Sequence, residues 1–346
     1  MGCEGADFKC WGYLGSLLYL LASAPIYVIY LFIILKHRKT DERLQSVYFT
    51  LSINVGALDL LAAFMLWVPL KTRFMGYWNG FFYRFDPYLN TFVDVFAFYI
   101  ISAQFVGLLA LTVSRFTAVA FPTRHGKWWS GSLLKCGLVL PWLLPALYYG
   151  AYGPFTKVTV APVENSSYYT TVYRTDEEAA NLFWGVVVIC GSSTAAMIAL
   201  NIATFASILV NRWKKKSQGT SRAETNLALS SLVMLLIQML FLFHNLLMLW
   251  TAIDLINWEL LWLLSTDLVN MANPFVVLAC SRVVRAYFAR YLPLCCGCFA
   301  PKEEKVVVVA TYKSGGRPGK APATAWPANH QIAGEASHSP ATVPHR

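Results

Sequence analysis

Charge is scarce in this chain. Asp, Glu, Lys and Arg together make 13% of the 346 residues, where soluble domains carry about 25%. Apolar residues fill 57% and aromatics 15%, so a large water-soluble core is excluded and a polytopic membrane protein remains. The eight cysteines form neither a pair of CxxC motifs nor a disulfide framework. There is no His-Glu-x-x-His and no nucleophile–base pair, so neither an enzyme nor a cofactor is expected. Met1–Lys9 lacks the apolar core of a secretory leader, and Ala6 breaks the myristoylation pattern. No internal repeat or interrupted helix pair marks a transporter or channel, which stands as the alternative function. The net charge of +10 needs no nucleic-acid partner, because its distribution has another explanation.

Seven apolar runs are present: Cys10–Leu35, Tyr48–Leu70, Leu89–Val119, Ser132–Tyr149, Leu182–Val210, Leu227–Ile253 and Trp258–Cys280. Each is long enough for a spanning helix. The expected fold is an all-α membrane protein, a seven-transmembrane-helix bundle over 10–292. Residues 1–9 precede it, and a short amphipathic helix over 281–292 lies on the membrane surface after the last span. Residues 293–346, rich in Pro, Gly, Ala, Ser and Thr, are expected to form a disordered cytoplasmic tail. With the amino terminus outside, inner loops hold sixteen Lys and Arg and outer segments six, among them Lys71. The positive-inside rule therefore orients the chain. The sequon Asn165-Ser166-Ser167 then falls outside, where glycosylation is possible, and Cys295, Cys296 and Cys298 fall inside, beside the membrane, as palmitoylation candidates.

Ionisable groups within spans call for a role. Leu89–Pro122 carries Asp94 near one end and Arg115 near the other, 21 residues apart. On a helix that is roughly 31 Å, about the hydrocarbon thickness. Asp59, Gln104, Asn270 and Asn273 are expected to form a buried polar cluster, with a sodium ion near Asp59 as one option. Such a cluster serves either helix packing or switching. Asp94 and Asp267 could share an outer cavity walled by Phe98, Ile101 and Trp262, binding an amine or hydroxyl ligand. The other reading has Asp267 bonded to neighbouring helices and Asp94 wetted at the surface. Arg115 either pairs with Glu224, holding two inner helix ends together, or anchors the inner membrane face.

Ser114-Arg115-Phe116 with Phe121-Pro122, the setting of Asp59, Asn273-Pro274, and the amphipathic helix followed by cysteines resemble a rhodopsin-like G-protein-coupled receptor. The finer texture is similar to the nematode serpentine chemoreceptors, class gamma and relatives. It lies in Ala24-Pro-Ile-Tyr27, Ser46-Val-Tyr48, residues 114–119, Thr266-Asp-Leu268 and Ser281-Arg-Val-Val-Arg285. The resemblance, over about 10–292, implies a plasma-membrane receptor for a small-molecule cue. Its partners would be a heterotrimeric G protein reached through Arg115, arrestin at the tail, and membrane lipid. The chain departs from the wider pattern in several places: Ser114 replaces the acid before the arginine, Val277 the tyrosine after Asn273-Pro274, and run six has no proline. No cysteine pair offers the usual outer disulfide, and run seven has no lysine for a retinal Schiff base.

Overall fold

A computed structural model describes residues 8–72, 79–162, 169–214, 222–250 and 258–291. All lie in one compact unit, Met1–Pro301. The helices are α1 (Phe8–His37), α2 (Val47–Met65, continued by a π-helical Leu66–Lys71), α3 (Asn79–Arg84), α4 (Tyr88–Ala120), α5 (Pro122–Trp129) and α6 (Ser132–Tyr152). An antiparallel hairpin of β1 (Val158–Pro162) and β2 (Tyr169–Tyr173) precedes α7 (Asp176–Lys214), α8 (Arg222–Trp250), α9 (Trp258–Cys280) and α10 (Arg282–Tyr291). Among the described residues six helices are long and apolar enough to cross a membrane, and the bent pair of Leu264–Cys280 with Arg282–Tyr291, at 103°, counts as a seventh when taken as one span. A membrane leaves backbone groups no water to bond, so such runs must close their hydrogen bonds internally, as helices do.

A single short hairpin accompanies the helices of the expected all-α bundle. Val158-Thr-Val-Ala-Pro and Tyr169-Thr-Thr-Val-Tyr are rich in β-branched and aromatic residues that suit a pleated surface. Val158 pairs with Tyr173 and Pro162 with Tyr169. The hairpin is tied to the bundle where the Val158 amide donates to Thr91 Oγ1 on α4, at 2.9 Å. Past it, Thr175 Oγ1 accepts from the Glu178 amide, and Asp176, Glu177 and Glu178 place negative charge on the first turn of α7.

Helix α4 is the axis. In its most apolar window 72% is buried, against 17–53% in the other spans. It packs on α2, α6 and α7. Gly107 permits the approach: a Cβ there would meet Val55 at 3.0 Å, Leu58 at 3.5 Å and Pro141 at 3.9 Å. Helix α4 stops at Phe121 because Pro122 cannot continue its hydrogen bonds, yet that proline suits the first turn of α5. Helix α5 folds back on α4 through Thr117, whose Oγ1 accepts from Trp129 Nε1 (2.9 Å) and lies 3.0 Å from His125 Nδ1.

The amphipathic helix docks on protein rather than only on lipid. Tyr287 stacks on His37 at 4.2 Å and donates to Asp41 Oδ2 at 3.1 Å, while Tyr291 reaches His37 Nε2 at 2.9 Å. Asp41 also takes Arg43 at 2.8 and 3.0 Å, and that guanidinium holds its carboxyl below the usual carboxylate range.

Candidate functional site

Three groups of polar side chains along the bundle hold most of the candidate residues. The first, at the hairpin end, is an ion pair that the charge count had placed elsewhere. Lys71 was expected in an outer segment. Instead the π-helical extension of α2 carries it one turn further, where it is 1% exposed. Its Nζ lies 2.7 and 2.5 Å from the two oxygens of Asp267 on α9, and Ser16 of α1 bonds both partners. Three helices meet at one charge pair. Two charges out of water are tolerable only when paired and fully hydrogen-bonded, a condition Ser16 helps to meet.

Asp94, the other expected acid of the outer cavity, is not wetted at the surface. It is 3% exposed, and α4 begins nearly two turns before it. Phe98 (6% exposed) stacks edge-on against Phe183 of α7, at 5.2 Å, and Ile101 is buried. The side chain of Trp262 lies outside the described residues. Asp94, Phe98 and Ile101 thus share a packed face of α4. A cavity of about 690 Å³ opens on the face turned away from them, between α4 and α6.

The second group is the polar quartet. Gln104 Nε2 donates to Asp59 Oδ1 (2.7 Å) and Asn270 Oδ1 (2.8 Å), joining α2, α4 and α9. The sequence reading missed Tyr27 of α1. Its hydroxyl donates to Asp59 Oδ2 and accepts from Asn273 Nδ2 at 3.3 Å. All five side chains are at most 1% exposed. A tyrosine in an apolar run reads as packing, so only its place opposite Asp59 reveals the bond. Each Asp59 oxygen already takes a protein donor, and a sodium ion would have to compete with both.

Arg115 is the third group. Its Nη2 donates to Tyr48 OH at 2.8 Å, and its guanidinium carbon lies 4.7 Å from the centre of the same ring. The ring supplies a π-face and the hydroxyl an acceptor, so one tyrosine of α2 partners the arginine in two ways. The Glu224 side chain lies outside the described residues. Between Arg115 and Asn273 is a cavity of about 10 Å³, also lined by Gln238, Ser231 and Thr112. That is room for about one water. Gln238 is fully buried, and neither end of its amide has a partner among the described residues. Asn165 and Cys295, Cys296 and Cys298 lie outside the described residues.

The three groups run along α4 and its neighbours: an ion pair, a hydrogen-bond network, and an arginine on a tyrosine. Compared with known proteins, the chain matches the family model described as serpentine type 7TM GPCR chemoreceptor Srv over residues 16–294. It is also 25% identical over 129 residues to serpentine receptor class V-1 of Caenorhabditis elegans. That match covers 37% of this chain and 41% of the relative. Both comparisons point to class V, where the sequence motifs suggested class gamma and its relatives.

Proposed function

This chain belongs to the serpentine 7TM chemoreceptor family Srv, and from that premise we infer that it binds a small external cue and activates a cytosolic heterotrimeric G protein. The observation that carries this reading is three sets of polar contacts between helices: Lys71–Asp267, the network of Asp59, Gln104, Asn270, Asn273 and Tyr27, and Arg115–Tyr48. Each link joins different helices, so each is a contact that a change of helix packing would have to break. Signalling needs two such packings, with ligand and partner preferring the same one.

The hairpin end faces outward and the Arg115 end faces the cytosol, a reading that sixteen inner basic residues support against five outer ones once the buried Lys71 is set aside. The protein resides in the plasma membrane, with its tail inside and open to arrestin. Asn165 is glycosylated and Cys295, Cys296 and Cys298 are acylated in this reading. A cationic or hydroxyl cue reaches Asp267 by displacing Lys71, and Asp94, Phe98 and Ile101, packed together in this arrangement, part to form its walls with Trp262. The bond of Arg115 to Tyr48 then opens, and Arg115 meets the G protein, while Asn273 and Pro274 adjust α9. Glu224 offers Arg115 its ionic partner in the resting arrangement. The chain works as a receptor rather than an enzyme or a transporter.

The test is nucleotide exchange on a heterotrimeric G protein, driven by cues presented to the receptor in membranes. Arg115→Ala at matched surface expression should abolish stimulated exchange. Unchanged exchange would remove Arg115 from coupling. Electrogenic flux in liposomes without a G protein would favour a transporter instead.

A further inference from the structure

The cavity between α4 and α6 is unlike the polar groups on the bundle axis. It holds about 690 Å³, within the roughly 300–1,000 Å³ of small-molecule sites. Its walls are Phe92, Val95, Phe96 and Tyr99 from α4, with Tyr149 and Gly150 from α6. Phe92 is 55% exposed among the described residues. On a spanning helix that exposure is to lipid. Tyr88 at the mouth and Tyr99 at the floor are eleven residues apart, so the cavity descends about 16 Å. One leaflet of hydrocarbon is about 15 Å deep.

The distribution of polar groups is lopsided. Within the cavity, Tyr99 OH donates to Trp142 O (3.2 Å) and Tyr149 OH bonds Ser102 Oγ (3.0 Å). Thr91 Oγ1 accepts from the Val158 amide, and Thr156 Oγ1 donates to Tyr152 O at 3.2 Å. The floor and walls therefore offer a ligand mostly apolar and aromatic surface. At the mouth stand the ammonium of exposed Lys157 and the hydroxyl of Tyr88, which is 84% exposed. The nearby acids are engaged by other groups: Asp86 by Asn90 (2.6 Å), and Glu178 by the Lys157 amide (3.1 Å) and its own helix end.

We propose that this cavity binds a single-chain carboxylate amphiphile, a free fatty acid, which enters sideways from the bilayer. Its chain lies along Phe92, Phe96 and Tyr99 over Gly150, and its carboxylate meets Lys157 and Tyr88. The depth of one leaflet fits an extended chain better than a compact solute. Lys157, the one charged residue among the described lining, selects an acid over an alcohol. Gly150 is the gap in the wall: a Cβ there would meet nothing within 4 Å, so a larger side chain would occupy the cavity without straining the bundle.

The experiment is photolabelling of the full chain in phosphatidylcholine nanodiscs by a diazirine palmitic acid, with sites mapped by mass spectrometry and no G protein present. Binding is thus read independently of coupling. Label should fall on the hairpin-end halves of α4 and α6. It should drop at least tenfold in Gly150→Leu and be displaced by palmitate but not by phosphatidylserine. Lys157→Gln should cut palmitic-acid labelling at least fivefold while leaving labelling by a diazirine hexadecanol unchanged. A second cavity-filling variant, Phe92→Trp, guards against a Gly150→Leu protein that fails to fold. Label spread evenly over lipid-facing helices, or unaffected by either filling variant, would overturn the site. Equal displacement by phosphatidylserine would assign it to bilayer lipid, and equal loss of both probes in Lys157→Gln would overturn the carboxylate head.

Discussion

The guanidinium of Arg115 donates a 2.8 Å hydrogen bond to Tyr48 OH while lying 4.7 Å from the centre of the same ring. The two interactions are separable by mutation. Tyr48→Phe keeps the aromatic face and deletes the acceptor, and a hydrogen bond to a charged group contributes about 1.5–3 kcal/mol. If this bond favours the resting packing, ligand-independent nucleotide exchange should rise roughly tenfold or more in Tyr48→Phe, read against wild type at equal receptor density. Basal exchange that stays flat or falls would show that the pair does not restrain Arg115.

Lys71 and Asp267 should be far more sensitive singly than together. Removing one member of a buried pair strands the other charge, at about 3–5 kcal/mol. Lys71→Met and Asp267→Asn should each lower the melting temperature and surface expression sharply. Lys71→Met combined with Asp267→Leu should recover most of the lost stability, because both charges are gone. A double variant as unstable as the worse single one would mean that the pair is not the dominant local interaction.

Gly107 tests the helix packing. A side chain there would press on Val55 at 3.0 Å and on Leu58 and Pro141 behind it. Overpacking of this kind costs about 1–3 kcal/mol. Gly107→Val should lower thermal stability by that order, whereas Gly150→Ala, which meets nothing within 4 Å, should change it little. Thermal unfolding of the two proteins in the same detergent makes the comparison.

His125 predicts a pH dependence. Burial between α5 and the end of α4 holds its imidazole below the ordinary value of about 6.5. The unfolded chain therefore binds the proton more readily than the folded one. Its contribution to stability is intact above about 6.5 and is lost as pH falls through the lower folded value. The melting temperature should decline from pH 7 toward pH 5, and His125→Gln, which keeps a donor for Thr117, should flatten that decline. An unchanged slope in the variant would place the titration elsewhere.

Much of the architecture was legible because the bilayer permits few solutions. Run seven was read as Trp258–Cys280, the bounds α9 has, and the axial role of α4 followed from its length and its polar residues. The quartet of Asp59, Gln104, Asn270 and Asn273 was also visible, since so few polar groups sit at that depth. Its aromatic members were not. Tyr27 and Tyr48 sit in apolar runs where tyrosine passes for packing, and their hydroxyl partners lie on other helices. Lys71 was misplaced for a related reason. A charge at the end of an apolar run reads as a loop residue, and only the π-turn with Pro69 and an acid 196 residues away draws it inward. The hairpin, too, lay unread on either side of the sequon, between the fourth and fifth apolar runs.

The contacts of α1 have a consequence for how the chain is made. Ser16 bonds Asp267, Tyr27 bonds Asn273 and His37 bonds Tyr291, partners 246 to 254 residues further on. At about 5–20 residues per second, the ribosome reaches them on the order of 12–50 seconds after the first helix emerges. Throughout that interval Lys71 has no Asp267, and α1 has no α9 or α10 to close against. The newborn receptor therefore waits in the membrane with an open seam. A chain truncated before α9 would leave Lys71 without its ionic partner and α1 without the helices it closes against. Completion of the last helices, rather than insertion of the first, is the event that closes the bundle.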